Sequence, residues 1–204
     1  MAFTFAKCFS SEGVEIQGLY EIQPKVYGDN RGYFFESYNE RDFSAAGLNL
    51  SFVQDNQSSS AGGVLRGLHF QMQHPQGKLV RTVSGKVYDV AVDLRTPSPT
   101  FGTWYGVILD GEKQNQFYIP KGFAHGFFVL SESAVFAYKC TDFYHPEDEA
   151  GLPYNDALLN INWPAANADF SPILSEKDTK YSPFRKDRTF FDMDGKWIAN
   201  NTSK

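Results

Sequence analysis

The sequence predicts an all-β fold, a barrel or sandwich with a few short peripheral helices. Three observations carry this reading. Aromatic residues make up 16% of the chain, with 19 Phe and 11 Tyr against 3 Met, and flat rings pack well on a pleated surface. Short runs of alternating or continuous apolar residues recur between turn elements. Long stretches with helical periodicity do not separate them, and regularly spaced strands without intervening helices mean a sandwich or a barrel.

The β signals dominate from about residue 14 to residue 144. In residues 87–94, Tyr88, Val90, Val92 and Leu94 fall on one face and Asp89, Ala91 and Asp93 on the other, which predicts a strand with one polar face. Further strands are expected at 103–109, 116–119, 126–130 and 135–144. The turns between them are Thr96-Pro97-Ser98-Pro99, Asp110-Gly111 and Pro120-Lys121-Gly122, whose Gly, Pro and Asp residues favour chain reversal. Helical signals are confined to residues 39–46 and to Ser175-Glu176-Lys177-Asp178, where Ser175 can cap a turn.

With 204 residues the chain has the length of one domain, long enough to bury a core without disulfides or metal, and residues 1–204 show no linker, repeat or low-complexity tract. Apolar content of 42% and charged content of 21% are those of a folded globular protein. A net charge of -5 argues against nucleic acid and membrane surfaces as partners, because both call for a basic face. Any bound anion must be held locally. The N-terminal residues lack the pattern of a signal peptide, and no segment has the apolar length of a membrane span, so the expected compartment is the cytoplasm. Cys8 and Cys140, the only cysteines, have no metal-ligand spacing and read as free thiols.

The chemistry concentrates in Leu65-Arg66-Gly67-Leu68-His69-Phe70-Gln71, followed by Gly77-Lys78-Leu79-Val80-Arg81. One histidine stands among three cations, as suits a base acting on an anionic substrate. A lone histidine between Leu and Phe on a strand is nonetheless more often structural than catalytic, so this run alone decides nothing. Further on, Pro120-Lys121-Gly122-Phe123-Ala124-His125 resembles the PxGxxH element of the cupin jelly-roll barrels. Metal-binding cupins supply an HxH pair and a nearby Glu from an earlier strand. Here that place holds His69-Phe70-Gln71 with no Glu close behind, which leaves a divalent metal short of donors, and the barrel is read as metal-free. His74 and His145, each before Pro, read as exposed loop residues.

Several motifs together resemble the dTDP-4-dehydrorhamnose 3,5-epimerases over roughly residues 14 to 180. In order they are residues 29–36, Gln54-Asp55-Asn56-Gln57-Ser58, residues 65–71 and 76–81, Ser98-Pro99-Thr100-Phe101-Gly102, residues 120–127, and Tyr138-Lys139. The resemblance implies a cupin-type jelly-roll homodimer that uses no metal or organic cofactor. Its implied substrate is a dTDP-4-keto-6-deoxy sugar, inverted at C3 and C5 on the way to dTDP-L-rhamnose. By resemblance His69 is the base, Asp178 its dyad partner, Tyr138 the acid on the opposite face, and Lys78 the cation beside the C4 oxygen. His125 is implied in substrate binding, Arg31 and Arg66 at the diphosphate, and Tyr144 stacked on the base. Glu36, Gln54, Asp55, Asn56, Glu149 and Lys177 fall on further ligand positions. Arg31 and Glu36 come from an N-terminal segment that the family exchanges between subunits.

Such chemistry calls for these residue types. A ketone at C4 acidifies the hydrogens on C3 and C5, so inversion takes a base on one face, a stabiliser for the enolate oxygen and an acid on the other face. Two alternatives stay open at this level: an epimerase that inverts one centre only, and a ligand-binding or metal-dependent cupin.

Overall fold

In a computed structural model, which describes residues 2–164 and 171–198, thirteen strands and one short α-helix are defined. Residues 1, 165–170 and 199–204 lie outside the described residues. The strands are β1 (Phe3–Phe9), β2 (Glu15–Pro24), β3 (Tyr27–Asp29), β4 (Gly32–Phe34), β5 (Gln54–Ala61), β6 (Leu65–Gln71) and β7 (Lys78–Ser84). They continue with β8 (Lys86–Asp93), β9 (Trp104–Asp110), β10 (Gln116–Ile119), β11 (Phe123–Val129), β12 (Ser133–Cys140) and β13 (Glu149–Gly151). The helix α1 (Glu40–Ala45) starts where residues 39–46 predicted it, because the Asn39 side chain accepts from the backbone N–H groups of Arg41 and Asp42.

Two antiparallel sheets, ordered β1-β2-β10-β7-β12-β5 and β13-β6-β11-β8-β9, make a jelly-roll barrel, and β3 and β4 form a separate hairpin. Between the sheets lies a core that includes Val80, Val87, Phe117, Ile119, Phe127, Val129 and Phe136. A second core covers the outer face of the five-stranded sheet. There Leu65, Leu68, Phe70, Val90 and Val92 meet Leu152, Leu159, Trp163, Phe184, Phe190 and Phe191 from the chain after β13. A third packs α1, through Phe43, against Phe3, Ile22 and Leu79 on the outside of the six-stranded sheet.

This double covering corrects the expected polar face of residues 87–94. Val90, Val92 and Leu94 do face one core, but Asp89 and Asp93 are both fully buried rather than solvated. Asp93 accepts from the backbone N–H and guanidinium of Arg95 and from the hydroxyls of Ser98 and Thr100, at 2.8–2.9 Å. Much of residues 98–102 is thereby explained as a structural turn. Phe101 packs on Phe184, and a Cβ on Gly102, at φ 74°, would meet the Phe184 ring at 3.0 Å. Breaking such a buried pair by removing one partner costs about 3–5 kcal/mol, because the other charge is left uncompensated.

Several boundaries differ from expectation, and β11 begins at Phe123 rather than at residue 126. The strand predicted over 135–144 ends at Cys140, where the Thr141 hydroxyl accepts from Gly77 N–H and the Asp142 carboxylate accepts from Phe143 N–H, turning the chain. Tyr144 therefore sits in a loop. Near the end, the turn expected at Ser175 is a 3-10 turn over Lys177–Thr179, and the Ser175 hydroxyl accepts from Asp178 N–H at 3.4 Å.

Candidate active site

A cavity of about 490 Å³ opens into one end of the barrel, lined from both sheets and from the C-terminal segment. Its position follows from a local approach of β6 and β11. A Cβ on Gly67, at φ 115°, would lie 2.5 Å from the Gly126 Cα, so only glycine lets these two backbones run this close. Directly beyond that point His69 and His125 are cross-strand partners. Alternation along β6 turns Leu68 and Phe70 into the outer core, while His69 lines the cavity.

His69 Nε2 lies 2.6 Å from Asp178 Oδ1. Burial raises the Asp178 carboxyl, but hydrogen bonding and charge from His69, with help from Ser175 and Lys177, outweigh it and hold the group below its ordinary value. An ionised Asp178 accepts in this bond, so Nε2 is the nitrogen that donates to it. The Tyr181 ring packs edge-on at 5.8 Å from the His69 ring, limiting its rotation. His125 is braced the same way by a residue that the sequence reading assigned to a polar strand face: its Nε2 lies 2.9 Å from both oxygens of Asp89. Burial pushes Asp89 up and His125 down, so each is drawn toward its neutral form.

The six-stranded sheet supplies the opposite wall. Cys140 pairs with Lys78 across β12 and β7, and Tyr138 pairs with Asn56 across β12 and β5, so Lys78, Tyr138 and Asn56 face one another on the inner side. The Tyr138 hydroxyl is hydrogen-bonded to no described residue, and burial pushes its pKa up, which keeps it protonated. Lys78 makes no ion pair with a described residue. Burial lowers its pKa against the opposing pull of Cys140, Glu149 and Asp89. Arg66 lines the same cavity, donating through Nε to Ser60 at 3.1 Å.

At the mouth, Tyr144 donates to Glu149 at 2.8 Å, and this bond first, then burial, pushes the phenol up to about 12. Glu149 also receives Lys177 and, at 3.1 Å, the Tyr181 hydroxyl. Gln54 accepts from Tyr144 N–H at 2.9 Å and donates to Asn56 at 3.0 Å. Gln71, the residue standing where a metal-binding cupin carries its second histidine, is buried and has three bonds. It donates to the carbonyls of His74 and Phe143 and accepts from His145 N–H. One amide thus ties the loop after β6 to the loop carrying Tyr144.

The cavity brings together His69, Lys78, Tyr138, Asp178, Gln54, Asn56, Arg66, His125, Tyr144, Glu149 and Lys177. Three expected residues lie elsewhere. Asp55, between two inward residues of β5, points outward and pairs with Lys139 at 2.9 Å. Arg31 is on the β3–β4 hairpin, paired with Asp29 at 2.6 Å, and Glu36 accepts from Asn39 at 3.1 Å. Asp89, Gln71 and Tyr181 were missed as site residues. A carboxylate flanked by Tyr88 and apolar Val90 on β8 was the available signal for Asp89; nothing local to Tyr181 announces its place.

A family model described as dTDP-4-dehydrorhamnose 3,5-epimerase matches residues 13–186. The curated dTDP-4-dehydrorhamnose 3,5-epimerase of Pseudomonas aeruginosa is 56% identical, covering 85% of this chain and 91% of its own. Among solved structures, an epimerase from Legionella pneumophila Philadelphia 1 in complex with dTDP-4-keto-L-rhamnose superposes with TM-score 0.81 at 50% identity, covering 89% of this chain and 92% of that one. A 3'-monoepimerase from Streptomyces bikiniensis in complex with dTDP-quinovose gives 0.75 at 33% identity, covering 81% and 83%. A family match over most of the length and relatives at half identity or more agree: the chain belongs to the dTDP-4-dehydrorhamnose 3,5-epimerase family.

Proposed function

We propose that the protein inverts C3 and C5 of dTDP-4-dehydro-6-deoxy-D-glucose, giving dTDP-4-dehydro-L-rhamnose for dTDP-L-rhamnose synthesis. The observation that carries this reading is the opposition of His69 with Asp178, from the five-stranded sheet and the C-terminal segment, to Tyr138 and Lys78 on the six-stranded sheet, across one cavity. A base and an acid on facing walls can reach the two faces of one sugar ring.

In each half-reaction His69 takes the proton from the carbon next to the C4 ketone, and Asp178 stabilises the imidazolium that forms. Electron density moves onto the C4 oxygen, where the Lys78 cation stabilises the enolate. Tyr138 then gives its proton to the opposite face, and the sequence repeats at the other centre after both groups exchange protons with solvent. Arg66 and Lys177 offer cations to the diphosphate, and Tyr144 a plane for thymine. Identity well above that shared with the monoepimerase favours inversion of both centres.

The proposal includes a homodimer in the cytoplasm. Arg31 is carried on a hairpin whose Tyr27, Tyr33 and Phe34 are 53–68% exposed, an apolar surface suited to a partner subunit, whose cavity Arg31 and Glu36 would then complete. Two buried free thiols suit a reducing compartment. Sedimentation equilibrium at micromolar concentration is expected to read a dimer; a monomer would remove Arg31 and Glu36 from the substrate site.

Incubation with dTDP-4-dehydro-6-deoxy-D-glucose in deuterated water tests the activity. One deuterium at each of C3 and C5 of inverted product is expected, and absence of label at both positions with folded protein contradicts the proposal. His69→Ala lowers exchange by roughly 10²–10⁴-fold, whereas Tyr138→Phe retains exchange while losing inversion.

The depressed Lys78 pKa sets a pH dependence. Because the lysine is lowered and Tyr138 raised, Lys78 loses its proton first as pH rises, and kcat/KM falls along an alkaline limb below about pH 10.4, the ordinary lysine value. Lys78→Arg, whose guanidinium stays charged, removes that limb at a lower kcat. An identical limb in the variant would assign it to another group.

A further inference from the structure

Outside the catalytic cavity the rim of the barrel carries a second set of chemistry-bearing groups. His74, in the loop after β6, stacks on His145, in the loop after β12, with ring centroids 4.0 Å apart and planes at 19°. Asp142 stands beside them, and one ligand atom from each of the three lies within 4.8 Å of the others. We propose that His74, Asp142 and His145 form a site for a divalent transition-metal ion of the zinc type, separate from the proton-transfer groups.

The donor set fits that class. Two imidazoles and one carboxylate, with water in the fourth position, is an open tetrahedral arrangement for zinc. At Zn–N distances of about 2.1 Å, tetrahedral ligand atoms sit about 3.4 Å apart. Reaching that spacing requires the stacked rings to turn toward a common point, and the exposed His74 and half-exposed His145 have room to turn. Hard cations such as magnesium prefer all-oxygen shells and are disfavoured here.

The backbone is already fixed at every ligand. Gln71 grips the His74 carbonyl at 2.7 Å and the His145 N–H at 2.7 Å. Asp148 accepts from the His74 N–H at 2.8 Å, and Gln76 donates to the Asp142 carbonyl at 2.8 Å. The ligands therefore approach each other on a braced frame rather than on free loops, which lowers the ordering cost of binding. Glu147 Oε1, 3.4 Å from His145 Nδ1, is placed to orient that ring once the other nitrogen holds an ion.

Asp142 and His145 bracket Tyr144 in the chain. An ion held between them and His74 fastens the Tyr144 loop to the loop after β6, adding to the clamp that Gln71 makes from below. Metal at this rim would thus stiffen the mouth of the cavity without entering it.

Equilibrium dialysis of the full chain, stripped with chelator, against Zn²⁺ tests the site. One ion per chain is expected in wild type and in His69→Ala. Binding at least tenfold weaker is expected in His74→Ala and in His145→Ala, variants at exposed or half-exposed positions that should fold normally. Thermal melts should follow: Zn²⁺ raises Tm in wild type and not in His74→Ala. No stoichiometric binding in wild type, or equal binding in wild type and both rim variants, overturns the proposal. Loss of binding in His69→Ala alone would also do so, by moving the ion to the catalytic cavity.

Discussion

The hydrogen bond between His69 and Asp178 spans 109 residues of chain, and the site depends on it. Strand β6 presents His69, and unlike His125, whose carboxylate partner Asp89 sits on a neighbouring strand, His69 has its partner outside the barrel strands. That carboxylate arrives on a 3-10 turn over Lys177–Thr179, so this segment must be docked before the proposed base is paired. Docking is secured along its length. Ile173 bridges to Val64 and accepts from Leu65 N–H, Phe184 N–H donates to the buried Asp156, and Phe190 and Phe191 fill the outer core behind β6. The same packing that stabilises the outer face of the sheet places Asp178 over its inner face.

Charge inside the barrel is handled by pairing. His125 has Asp89, His69 has Asp178, and Glu149 gathers Tyr144, Tyr181 and Lys177. Lys78 and Tyr138 are the exceptions, lining the cavity without a hydrogen-bonding partner among the described residues. Unpaired polar groups in a partly dry cavity are costly to the fold. In the proposed reaction a ligand satisfies both: the C4 oxygen turning into an enolate accepts from Lys78, and the carbon beside it takes the Tyr138 proton.

Much of this was legible in the sequence. Period-two alternation and turn residues marked the strands from 87 to 140, and Asn39 marked the start of α1. The run from Leu65 to Lys78 set one histidine among cations without deciding its role, and the resemblance supplied expected roles for His69, Lys78, Tyr138 and Asp178. What stayed hidden was long-range or irregular. The edge strand β1 lies before the region read as β structure, with a bulge between Lys7 and Phe9. Among the described residues after β13 there is almost no regular structure, so no periodicity reveals that Leu152, Leu159 and Phe184 roof a sheet. Asp89 looked like one residue of a wet face because alternation alone does not say that both faces are covered. Gln71 read as a missing metal ligand; its positive role as a clamp depends on three backbone groups up to 74 residues away.

The central claim is that Asp178 serves proton transfer through His69 rather than the binding of nucleotide or the stability of the fold. Asp178→Asn keeps the shape and removes the charge, so solvent exchange at C3 and C5 should be measured in this variant together with dTDP affinity by calorimetry. The account predicts exchange slowed roughly 10²-fold or more with dTDP affinity close to wild type. Exchange at the wild-type rate, or affinity lost in parallel with it, would contradict it.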